Sequence, residues 1–147
     1  MNLDKTDEKI LKNLMVDARL SARQMALKLG ISTVTVLSRI KKLEKENIIQ
    51  GYTAIVDHEK LGYSLTAIIE IVAKNDKIVD IEEEISKFEN VCAVYDITGS
   101  TDTVIIVKFK ERNDLSKFVK SLASIPNVKN TITHVVLNTA KEDFRLT

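Results

Sequence analysis

Within "GISTVTVLSRIKKLEKEN" (30–47), Val34, Ser38, Lys41 and Lys45 recur every three or four residues. At 3.6 residues per turn this spacing places them on one helix face, with Thr35 and Lys42 beside them. Val36, Ile40 and Leu43 fall on the opposite, core-facing side. The outward face is small and hydroxylated at its front and cationic at its back. Such a stripe suits contact with a polyanion; a plain solvated helix face is the alternative. Arg39 lies at the flank of the stripe, where pairing with an acidic neighbour inside the domain is expected.

The charge distribution agrees with a polyanion. Net charge is only +1. Residues 1–50, however, hold 10 Lys and Arg against 6 Asp and Glu, while residues 51–147 hold 12 against 15. A basic first third on an acidic remainder points the first segment at a polyanion. A chain of 147 residues with 44% hydrophobic content and one proline can form one ordinary domain or two small ones with packed cores.

Other chemistry is poorly provided for. The single cysteine, Cys92, excludes an intramolecular disulfide and a zinc site of several thiolates. Its setting, "VCAVYDI", makes a buried strand residue the expectation. The four glycines are scattered at 30, 51, 62 and 99, so no phosphate-cradling loop forms, and His58 and His134 have no evident nucleophile beside them. Neither an enzyme nor a metal or cofactor protein is expected. No apolar run approaches the roughly 18 residues that span a membrane, and "MNLDKTDEKI" has no signal core, so a cytoplasmic protein is expected.

The elements that must hold the stripe are short. Leu3, Ile10, Leu11, Leu14 and Met15 recur at helical spacing behind Asp4, a cap. A second helix opens at Ser21 with Gln24 at capping-box spacing and ends at Gly30. Ser32 caps the third. Three helices with a short turn before the last make a helix-turn-helix. After Asn47, "IIQGYTAIV" is β-like. Then "SLTAIIEIVAK", "VCAVYDITG", "DTVIIVKFK" and "VKNTITHVVLN" read as strands. Helices are expected over 76–88 and 113–125. The order βαββαβ predicts a ferredoxin-like four-stranded antiparallel sheet with helices on one face. Ile69, Ile71, Val91, Ala93 and Val135 suggest that its other face is apolar and covered by a second chain. The expected division is a helix-turn-helix domain over 1–47, a β linker over 48–60 and a ferredoxin-like domain over 61–147.

The chain resembles the Lrp/AsnC, or feast/famine, transcription regulators over roughly residues 3–141. In the first part "LDKTDEKIL", "DARLSARQMALKLGIS" and "TVTVLSRIKKLEKENII" carry the likeness. In the second it is "LGYSLTA", "VYDITGSTDTVIIV" and "SIPNVKNTITHVVLNTAK". Asn47 and Asn127 replace family glycines; asparagine tolerates the left-handed region best of the others, so that backbone is expected to persist. Ser100 and Thr101 stand where an acidic and an aromatic residue are common, and His58 follows Asp57 where proline is frequent.

The resemblance implies a winged-helix-like domain whose third helix enters the major groove of double-stranded DNA. Ser32, Thr33, Val34, Thr35, Leu37 and Ser38 would then lie at base edges or thymine methyls. Lys41, Lys42 and Lys45, with Arg23 and Lys28 of the preceding helix, would meet phosphates. It also implies dimers that associate further, often to an octamer. An amino-acid effector would bind at the turn "TGSTD", through Gly99, Ser100, Thr101 and Asp102, with Thr131 and Thr133 nearby. A metabolite-sensing module without DNA binding is the competing reading, and the complete helical segment counts against it.

Overall fold

Asp4, Ser21 and Ser32 each start a helix by the same device: a side-chain oxygen accepts an amide that the helix leaves unpaired. The computed structural model describes residues 3–74 and 77–146. Asp4 accepts from the amides of Thr6 and Asp7 and begins α1, Lys5–Val16. Asp7 reciprocates onto the Asp4 amide, which completes a capping box. Ser21 and Gln24 form a second box at the head of α2, Ala22–Leu29. Gly30 ends α2 with φ of +68°, where a side chain would strain the backbone although space around it is open. Ser32 then caps α3, Thr33–Lys45, and Asn47 turns the chain away at φ +55°. Ile10, Met25, Val36 and Leu43 have no exposed surface and form the core of this three-helix unit.

The second unit is βαββαβ, as its pattern predicts. Its elements are β1 Leu65–Ala73, α4 Ile78–Ile85, β2 Val91–Asp96, β3 Thr103–Phe109, α5 Arg112–Ser124 and β4 Val128–Val135. The strands form one antiparallel sheet in the order β2-β3-β1-β4. Ala67, Ile69 and Ile71 of β1 and Ile105, Val107 and Phe109 of β3 face the helices. They pack on Ile81 and Ile85 of α4 and on Leu115, Phe118 and Leu122 of α5. Each fully buried isoleucine contributes about 1.5–3 kcal/mol of transfer free energy. The Phe118 ring meets Phe88 edge-on, with centroids 5.3 Å apart. Asn127 keeps the left-handed conformation at φ +70° and its carbonyl accepts the Lys74 amide at 2.7 Å.

Three expectations differ from the structure. The chain divides into one unit of residues up to Ile55 plus those from Glu142 onward, and a second of Val56–Lys141. The C-terminal tail therefore groups with the helices, where Arg145 donates to the Met15 carbonyl at 3.5 Å, and the second domain stops short of 147. The 48–60 segment forms no strand: it bends at 48–49, carries no regular structure over 50–57 and turns at 58–60, and its backbone has no ladder partner among the described residues. Cys92 is exposed: β2 bulges between Val91 and Ala93, which pair with the adjacent residues Val107 and Ile106, so Cys92 is the extra residue.

The open face of the sheet also has a different membership. Ile69 and Ile71 belong to the helix side, Val91 packs against the same core, and Val135 pairs with Ala67 on that side. Of the five residues expected there, only Ala93 is on the open face. Its neighbours follow from the register: Ala93, Ile106, Ile68 and His134 form one row, and Tyr95, Val104, Glu70 and Ile132 the next. The face is still mainly apolar, with Ile68, Tyr95 and Ile132 substantially exposed.

Candidate nucleic-acid interface and effector turn

α3 presents the predicted stripe. Val34 is 75% exposed and Leu37 48%. Ser32, Thr33, Ser38, Lys41 and Lys45 are also exposed. Lys41 and Lys45 make no ion pair among the described residues. The hydroxyls at the front are partly engaged: Ser32 Oγ accepts the Thr35 amide at 3.0 Å and lies 2.8 Å from Thr35 Oγ1. Ser38 Oγ donates to the Thr35 carbonyl at 3.3 Å, within the helix itself. These local bonds fix rotamers without removing the oxygens from the surface. Thr35 is half-buried, so its reach is the shortest of the set.

Behind α3 lies a cluster centred on Asp7, whose side chain has no exposed surface. Arg39 Nη1 donates to Asp7 Oδ1 at 3.1 Å and also to Asp4. Lys42 Nζ is 3.7 Å from Asp7 Oδ2. The pairing expected of Arg39 is therefore made. Lys42, expected at a phosphate, lies against the buried carboxylate and remains 42% exposed. The Asp7 amide, then the Arg39 guanidinium, hold the Asp4 carboxyl below its ordinary value. Asp4 and then Asp7 push Arg39 higher still. The cluster ties the start of α1 to the middle of α3. Sequence reasoning missed Asp7, though its spacing from Asp4 places both carboxylates at the first turn of α1. Arg23 and Lys28 are exposed on α2. Arg23 borders a shallow hollow of about 360 Å³ with Leu27, Gly30, Ser32 and Thr33 at the α2–α3 turn.

The turn between β2 and β3 is bonded mainly to β1. Asp102 donates its amide to the Ile71 carbonyl at 3.0 Å and accepts the Ile97 amide at 2.9 Å. Its Oδ2 accepts the Ala73 amide at 2.7 Å. Gly99, at φ +124°, and Ser100 are exposed at the tip. Thr101 is buried, and its hydroxyl donates to Glu70 Oε1 at 3.0 Å. The other Glu70 oxygen is 2.7 Å from His134 Nε2. His134, then Thr101, lower the Glu70 carboxyl below its ordinary value. Thr131 pairs with Ile71, which pairs with Thr103, so Thr131 is two strands from the turn, about 10 Å by strand spacing. Thr133 lies farther along β4, opposite Ile69. The turn residues are thus brought together, while the two threonines flank them at a distance. The Glu70–His134 pair was also missed; a lone glutamate in "LTAIIEIVA" was its only signal.

Among the described residues no three of His, Cys, Asp and Glu gather where they could hold a metal ion, and no helix is long and apolar enough to cross a membrane. A helix-turn-helix unit with an exposed cationic third helix, joined to a ferredoxin-like unit, defines a DNA-binding transcriptional regulator. The comparisons with known proteins place it more narrowly. A winged helix-turn-helix DNA-binding model matches residues 3–50, and an Lrp/AsnC ligand-binding domain model matches residues 66–146. The chain belongs to the Lrp/AsnC family of transcriptional regulators. It is 49% identical over 146 residues to an uncharacterized HTH-type transcriptional regulator of Pyrococcus furiosus, covering 99% of each chain. It is 36% identical to the HTH-type transcriptional regulator FL11 of Pyrococcus abyssi, covering 99% of this chain and 97% of that one. Among solved structures, a Neisseria meningitidis transcriptional regulator in complex with L-Met superposes with a TM-score of 0.88 at 30% identity, covering 99% of this chain and 97% of that one.

Proposed function

We propose that two copies of the chain read an inverted repeat in double-stranded DNA through α3, and that an amino acid bound near the turn 97–102 modulates this. The carrying observation is the division of labour among the α3 cations. Arg39 and Lys42 are turned inward to Asp7, while Lys41 and Lys45 stand exposed and unpaired among the described residues. The two outward lysines take phosphates, and Thr33, Val34, Leu37 and Ser38 ahead of them meet base edges. Thr35 supports them through Ser32, and Arg23 and Lys28 add backbone contacts from α2. In this reading the protein acts by binding, without chemistry of its own, in the cytoplasm.

Pairing of chains is supported by the apolar open face of Ile68, Ala93, Tyr95, Val104, Ile106 and Ile132, which a second copy would cover. Further association, to an octamer, follows the family. The L-Met complex of the Neisseria relative supports an amino-acid effector. Here the exposed tip at Gly99 and Ser100 admits a small ligand, and the Asp102 carboxylate is a partner for its ammonium group. Selection of bound duplexes from a random pool tests the DNA reading. Two half-sites about one helical turn, ~10 base pairs, or a multiple apart are expected. Ser38→Ala should change the preferred bases within each half-site. An unchanged preference in that variant would remove α3 from the groove.

A further inference from the structure

The segment that leaves α3 packs Ile48 and Ile49 on the helical core, and one of its further contacts involves an aromatic hydroxyl. The Ile48 and Ile49 amides donate to the Leu43 carbonyl at 2.9 and 3.2 Å, which closes the helix end. From Gln50 to Lys60 every residue is exposed. Within residues 50–56 the other side-chain hydrogen bond among those described is local, from Thr53 Oγ1 to the Ala54 carbonyl. Tyr52 differs: its hydroxyl donates to Glu44 Oε1 at 2.9 Å, in the last turn of α3. Its ring also borders an apolar hollow of about 390 Å³ with Leu11, Leu14, Met15 and Ile55. Although the ring is half exposed, burial and then the Glu44 carboxylate push the hydroxyl above its ordinary value, so it remains a donor at neutral pH.

We propose that Tyr52 is a positioning residue that sets the permitted spacing between half-sites, by fixing the direction in which residues 50–56 leave α3. The inference rests on the paired-chain reading above. α3 carries the base contacts, and this segment leads from it to the unit whose open face a second copy covers. A swivel at its start re-aims both α3 helices at once. One added base pair displaces a half-site by about 3.4 Å along the axis and by about a tenth of a turn, so a small swivel decides which spacing fits. The two copies contribute two Tyr52–Glu44 bonds, so the tether enters the spacing preference twice.

The test uses the full chain and duplexes carrying two selected half-sites, with the spacer at its best length or changed by one base pair. Tyr52→Phe and Glu44→Ala should each lower the discrimination between those spacers by about fivefold, the yield of two bonds at the low end of a net hydrogen bond. Affinity for a duplex with a single half-site should stay within about twofold, which loss of folding or of α3 contacts would not allow. The double variant should lose no more than either single one, as expected of one shared bond. Wild-type discrimination retained in Tyr52→Phe would overturn the role of Tyr52 and leave the paired reading standing. A wild-type chain indifferent to spacing would overturn the paired reading itself.

Discussion

Arg39→Ala should loosen α3 from α1. The substitution leaves the buried Asp7 carboxylate with Lys42 at 3.7 Å and the Asp4 amide at 3.3 Å as its remaining partners. Removing one partner of a buried ion pair costs about 3–5 kcal/mol; the retained lysine and the 31% exposure of Arg39 bring this to about 2–3 kcal/mol. Hydrogen exchange at the α1 and α3 amides of the full chain reads the loss within this unit. Exchange should quicken by about 30- to 150-fold at neutral pH. The gap should depend on pH in one direction. The Asp4 carboxyl is held below its ordinary 3.8 by the Asp7 amide and then by Arg39. Its contribution is present above that value and is lost as pH falls through the lower, folded-state value. The part of the gap that Asp4 carries should therefore shrink as pH falls below 3.8. Exchange within about threefold of wild type at pH 7 would show that the cluster does not hold the two helices together.

Two further outcomes follow from the second unit. Ile68→Lys places a charge in the middle of the open face and should weaken self-association in ultracentrifugation without unfolding the sheet, since Ile68 lies outside the helix-facing core; unchanged association would place the contact between copies elsewhere. Asp102→Ala removes the acceptor of the Ala73 amide, costing about 1–3 kcal/mol in denaturant unfolding, and should abolish heat of binding in titrations with amino acids. Binding that survives it would put the effector at another site.

Much of this architecture was legible because local signals and long-range packing agreed. The Ser21–Gln24 box, the Gly30 turn and the inward Arg39 follow from residue types at fixed spacings, and the left-handed Asn47 and Asn127 from the family glycines they replace. What the sequence left hidden depended on partners far along the chain. Lys42 sits beside Lys41 on the helical wheel, and only the packing of α1 reveals Asp7 beneath it. β1, "LTAIIEIVA", is largely apolar in both phases, so alternation says little about which face Ile69 takes; Glu70 and Thr66, in one phase, were the residues marking the open side. Thr101 carries a hydroxyl suited to a ligand, yet that glutamate, 31 positions earlier, claims it. The 48–60 segment has strand composition at its start, but a ladder needs a second strand, and none lies beside it among the described residues.

The salt dependence of DNA affinity tests the central claim most directly. Binding of the full chain to its selected duplex should be measured across salt concentrations for wild type, Lys41→Ala, Lys45→Ala and Lys42→Ala. Each lost phosphate contact lowers the slope of log affinity against log salt by about 0.9, hence by about 1.8 when both copies lose it. Lys41→Ala and Lys45→Ala should show that drop. Lys42→Ala, whose ammonium lies against Asp7, should keep the wild-type slope. A slope unchanged in Lys41→Ala and Lys45→Ala, or reduced in Lys42→Ala alone, would contradict the proposed docking of α3.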